Sequence, residues 1–256
     1  MRPVREGRAP CRSSPGLVDH AVKNHAMKNH AMKDVGAGRR ARLLAATVAA
    51  LLLGVVGAPS TYAGTDTQEC PAAEIFATDN TAIITDPDDP RLDTRLTRFR
   101  HEVRQVIRAN GARPGASELL DGVFWSEELK QATYERSREF DVERVGRDGL
   151  HHIAGVIAKR YEQEAVLTFR CLPRTSPETD AVEIEVPGVR VSSLREALVA
   201  DPEARDKLGG GSVTLDGRLV LVAPVDDLPL ARRFTTALGA DWDRARVRYG
   251  DREFVS

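Results

Sequence analysis

The sequence lacks the patterns that usually announce chemistry. It contains no Gly-x-Ser-x-Gly elbow, which removes the usual sign of a serine hydrolase. Its densest glycine run, Gly209-Gly210-Gly211-Ser212, is not followed by the Lys-Ser/Thr pair and helix of a phosphate-binding loop. After residue 63 only three histidines remain, His101, His151 and His152. Adjacent helical residues point about 100° apart, so His151 and His152 do not converge on one metal, and no pair has the spacing of three or four that a helical metal site wants. Asp86, Asp88, Asp89 and Asp93 form an acidic cluster, but two prolines interrupt it and the central glycine of a calcium loop is missing. Turn and cap chemistry accounts for these carboxylates, and no catalytic, cofactor-binding or metal residue is assigned.

Long apolar runs are also absent. The longest, Leu43–Val56, has 14 residues, against about 20 for a membrane-spanning helix. Arg39-Arg40-Ala41-Arg42 precedes it, and Gly57-Ala58-Pro59 with Thr61-Tyr62-Ala63 follows. A basic start, a short apolar segment and small residues at the end make a signal peptide, with cleavage expected after Ala63 and only transient membrane contact. Residues 1–38 have no apolar periodicity and nearly repeat themselves at Asn24–Lys28 and Asn29–Lys33. They read as a disordered leader, or as sequence upstream of a true start at Met27 or Met32.

Lysine is scarce beyond the signal, with Lys130, Lys159 and Lys207 alone against 24 arginines. Of 37 Lys and Arg, ten precede residue 64, as do three of 38 Asp and Glu; the remainder carries a net charge of −8. That balance argues against nucleic-acid or anionic-lipid partners, which bind through clustered positive charge. Cysteine is scarcer still, with three residues in 256. Cys11 would leave with the leader, so Cys70 and Cys171 are expected to pair as a disulfide in an oxidising compartment.

What is present reads as an α+β chain. Ile75–Thr85 has strand character, Asp89 and Pro90 cap a helix striped by Leu92, Leu96, Phe99, Val103 and Ile107, and Asn110-Gly111 ends it. Residues 118–145 fit either a helix over Glu127–Ser137 or extended chain with alternating sides. Leu150, Ile153, Ala154 and Ile157 mark a second helix, and Ala165–Leu172 a strand. Beyond the Pro/Ser/Thr linker 173–180 come strand Ala181–Val186, a helix capped by Ser193 with Glu196 and restarted at Pro202, and a hairpin about Asp216-Gly217. A helix after Asp227 and two short strands, Arg244–Tyr249 and Arg252–Val255, complete the chain.

This order predicts two small split-βαβ, ferredoxin-like units, 64–172 and 181–256, the second the clearer. The concentrated aromatic patch Phe124, Trp125, Tyr134 and Phe140, joined by Arg136, is the candidate binding surface. The resulting expectation is an exported, non-catalytic protein of the cell envelope or medium that binds a protein or envelope component, without a cofactor. The alternative is an extracytoplasmic hydrolase whose histidines meet carboxylates between the two units.

Overall fold

A computed structural model of the chain describes residues 73–256. The leader, the signal segment and Cys70 lie outside the described residues. Cys171, the other member of the expected disulfide, ends a strand within them.

Strand β1 (Ala73–Ala77) is followed by a 3-10 turn at Pro90–Asp93 and helix α1 (Thr97–Ala109). Asp89 accepts the Arg91 amide as expected of a cap, but the helix proper begins later. Leu96 adopts a left-handed conformation, φ 48°, that separates the turn from α1. Residues 118–145 prove to be extended. They belong to a long hairpin of β2 (Arg113–Ser126) and β3 (Gln131–Glu143), paired in register from Ser117↔Phe140 to Ser126↔Gln131. Period-2 alternation therefore prevails over the weak helix propensity of Glu127–Ala132. Helix α2 (Arg147–Arg160) and strand β4 (Val166–Cys171) come next.

Strand β5 (Ala181–Pro187) leads to α3 (Val191–Ala200) and α4 (Pro202–Leu208). Asp201 caps α4 by accepting the Ala204 amide at 3.1 Å. The Ser193–Glu196 capping box is not formed, because α3 already starts at Val191. Strands β6 (Gly210–Thr214) and β7 (Arg218–Pro224) flank the Asp216-Gly217 turn, with Gly217 at φ 82°. Helix α5 (Leu228–Ala237) precedes β8, a continuous strand over Arg246–Val255 where two short ones were expected.

The expectation of two ferredoxin-like units is overturned. All eight strands join one closed antiparallel barrel in the order β1-β3-β2-β6-β7-β5-β8-β4, and β4 returns to β1. The seams are real ladders. Leu120–Phe124 of β2 pairs with Gly210–Thr214 of β6, and Val166–Cys171 of β4 pairs with Gly250–Val255 of β8. As separate units, β2, β4, β6 and β8 would each be an open edge with unpaired backbone groups, and closure removes that liability.

Alternation along the strands then divides the side chains in two. Ala73, Ile75, Ala77, Phe140 and Val142 point out of the wall and pack with α1 and α2. Phe99 of α1 meets Phe140 edge-on at 5.7 Å and Tyr161 at 4.7 Å. Val182, Ile184, Val186, Leu219 and Leu221 likewise face α3, α4 and α5. The apolar cores thus lie between wall and helices, and the residues on the opposite pleat close upon one another inside the barrel.

Candidate functional site

The five residues of the expected binding surface do not share one face. Trp125 and Tyr134 lie on the outer wall, whereas Phe124 turns to the other pleat beside Gly122 and Gly210. Phe140 is buried against Phe99. Arg136, also buried, is ion-paired with Asp121 and donates from Nε to the Thr94 carbonyl at 3.0 Å.

Trp125 and Tyr134 line a cleft of about 260 Å³ together with Thr85, Pro87, Lys130, Gln131, Ala132, Arg195 and Val199. Three segments build it. The end of the β2–β3 hairpin supplies Trp125 and Lys130, α3 supplies Arg195 and Val199 one turn apart, and the loop after β1 is pinned by the Tyr134 amide donating to the Ile84 carbonyl at 2.8 Å. The Arg205 guanidinium stacks on the Trp125 ring at 4.3 Å, a favourable cation–π arrangement. Trp125 Nε1 donates to Glu127 at 2.6 Å, and Glu127 is ion-paired with Lys130. The Lys130 and Trp125 hydrogen bonds hold the Glu127 carboxyl below the usual range. A larger hollow of about 630 Å³ between α3–α4 and α5 is wide open; its Asp201 is already used as a helix cap and in an ion pair with Arg233.

The barrel interior holds a second constellation that the sequence reading missed. Arg248 of β8, 1% exposed, is ion-paired with Glu74 of β1 and Glu183 of β5 and bonds Glu185 at 3.2 Å. Register explains the meeting, since Arg248 is the direct cross-strand partner of Glu183. Arg218 and Arg246 also pair with Glu185. Glu139 and Asp141 of β3 complete the acidic lining. Burial works against the Arg248 charge, but Glu183, Glu74 and Glu185 more than offset it and keep it protonated. Burial, followed by repulsion from Glu183, pushes Glu74 well above the ordinary carboxylate range. Burial raises Glu183 to about 7, and burial with repulsion from Glu74 raises Glu139 well above its usual value. Glu74 and Glu183 thus share the Arg248 guanidinium, each keeping one buried oxygen without a partner among the described residues.

The signal for this centre was visible as alternation. Val182-Glu183-Ile184-Glu185-Val186 and Arg246-Val247-Arg248 each put charge on one pleat, a pattern that normally marks a solvated face.

His101, His151 and His152 are all exposed on α1 and α2. His151 Nδ1 contacts Glu253 at 3.1 Å on open surface, away from both constellations. Among the described residues no helix is long and apolar enough to cross a membrane.

No known protein family matches the sequence, and no curated protein is similar to it. A crystal structure of a monooxygenase candidate from Lactobacillus acidophilus NCFM is similar at 13% identity, covering 72% of this chain and 95% of that one, with a TM-score of 0.23.

Proposed function

We propose that this chain is exported and acts as a non-catalytic binding protein of the cell envelope or surrounding medium, with the Trp125–Tyr134 cleft as its contact for a protein partner. One observation carries the choice of surface. The exposed large apolar residues among those described are Ile83, Leu129, Val199, Leu215 and Phe254, and one of them, Val199, lines this cleft, with Leu129 and Ile83 in the two segments that flank it. Leu129 sits in the turn that supplies Lys130, and Ile83 precedes Ile84, whose carbonyl is bonded to Tyr134. An exposed apolar side chain in a cleft lined by an aromatic–arginine stack is the composition of an interaction hot spot. The hydrolase alternative places a histidine against a carboxylate in a cleft, whereas His101, His151 and His152 lie on exposed helix surface.

Export rests on the basic, apolar and small-residue succession from Arg39 to Ala63. Deleting residues 39–58 should retain the protein in the cytoplasm; undiminished export of the deletion variant would contradict that part of the proposal. For the surface, a photo-crosslinking residue placed in living cells at 129 or 199 should give a discrete protein adduct, and one at 215 should not. Trp125→Ala should weaken that contact by roughly 2 kcal/mol or more, about thirtyfold in Kd. Equal labelling from all three positions, or none from any, would remove the cleft from consideration.

A further inference from the structure

We propose that Glu74, Glu139 and Asp141 form a binding site for a calcium-sized divalent cation on the inner wall of the barrel. Register assembles the site. Glu74 of β1 is the direct partner of Asp141 of β3, and Glu139 stands two residues earlier on the same pleat. One carboxylate oxygen from each residue lies within 4.8 Å of those from the other two. Calcium binds oxygen at about 2.3–2.6 Å, so donors on opposite sides of the ion stand roughly 4.6–5.2 Å apart and neighbouring donors closer. The trio therefore spans the dimensions of such a coordination shell.

Glu139 supplies the second, independent observation. It is 8% exposed, and its buried Oε2 has no hydrogen-bond partner among the described residues. Buried carboxylate oxygens are ordinarily satisfied. The charges around Glu139 include Glu74, Asp141 and Glu185, of its own sign, and Arg248. Arg248, however, directs its terminal nitrogens to Glu74, Glu183 and Glu185. A cation held jointly by Glu74, Glu139 and Asp141 gives the orphaned oxygen its partner and relieves the repulsion within the trio.

The donor set indicates the kind of cation. Three carboxylates are hard oxygen ligands, which suit calcium, magnesium or manganese over the thiolate- and imidazole-seeking metals. Magnesium binds at about 2.0–2.1 Å, demands near-ideal octahedral geometry and keeps most of its water, so a buried carboxylate trio suits the larger, more tolerant ion. Entry is available on one flank. Asp141 is half-buried, and its Oδ2 takes the Ala116 amide at 3.2 Å near the surface. Water can complete the coordination from that side.

The test uses the full chain freed of metal by a chelator and titrated with calcium chloride in a calorimeter. One calcium per chain should bind saturably and raise the thermal unfolding midpoint. Glu139→Gln and Asp141→Asn should each weaken binding at least tenfold, while Glu196→Gln on exposed α3 should leave it unchanged. Glu139 has no side-chain bond to Arg248, so Glu139→Gln leaves that ion-pair network in place, and circular dichroism confirms its fold. Absence of saturable binding to the wild-type chain, or binding undiminished in both variants, would overturn the site.

Discussion

Arg248 carries the largest consequence of any single side chain. It is buried among Glu74, Glu183 and Glu185, so removing its charge strands acids that have already lost their water. Arg248→Met should lower the unfolding free energy by about 3–5 kcal/mol, measured by urea denaturation near neutral pH. The loss should shrink in mild acid, where Glu74 and Glu183 are neutral. Wild-type stability has a definite pH sign as well. Glu183 titrates at about 7 in the folded chain, above its ordinary value of 4.5, and Glu74 and Glu139 are displaced in the same direction. The folded state thus binds more protons than the unfolded state between those values. The stability these acids contribute is complete below the ordinary carboxylate range and is lost as pH rises through about 7. In chelator, the unfolding free energy should fall from about pH 5 to about pH 8. A rise over that interval would show that the interior acids are fully charged at both ends.

At the scale of elements, the seam between β2 and β6 depends on one glycine. A Cβ on Gly210, at φ 152°, would be driven into the Val123 carbonyl and the Phe124 backbone of the neighbouring strand. Gly210→Ala should therefore cost about 2–3 kcal/mol, since backbone cannot yield as a side-chain tip can. Gly239 makes a useful contrast. It has φ 77° with nothing within 4 Å of its Cβ position, so Gly239→Ala should cost only about 1–2 kcal/mol of backbone strain. Equal losses in the two variants, measured by thermal unfolding, would contradict the packing argument. Most elements were legible locally. The stripe Phe99, Val103, Ile107 marked α1, and Asp216-Gly217 marked the β6–β7 turn. The missed boundaries have local causes too. Leu96 takes a left-handed conformation that a periodic stripe does not reveal, and β8 runs straight through Gly250-Asp251 because β4 and β5 pair with it on both sides.

Closure governs the molecule as a whole. Residues 73–172 expressed alone would expose β2 and β4 as unpaired edges and leave Glu74 without Arg248. That fragment should associate or aggregate in size-exclusion chromatography, because open edges recruit further strands. A monomeric fragment with cooperative unfolding would show that the first six elements fold independently of the barrel.

Trp125 and Tyr134 were legible as candidates because aromatic residues are few; their separation from Phe124, Phe140 and Arg136 was not. Pleat parity decides it for Phe124 alone; Arg136 and Phe140 share the Tyr134 pleat and are covered by the Thr94 segment and by Phe99 of α1, and both effects depend on contacts between elements distant in sequence. The same reason hid the interior. Glu183, Glu185 and Arg248 alternate with apolar neighbours, as residues on a watered face do, and nothing local states that the face will curl inward upon itself. By itself the sequence determined periodicity, turns and caps, because these arise from contacts within a few residues. Only the tertiary structure decided which pleat became the inside, since barrel closure joins β4 to β1 and β2 to β6. Closure thereby converted apparent surface charge into the buried acidic centre around Arg248 and the Glu74–Glu139–Asp141 trio.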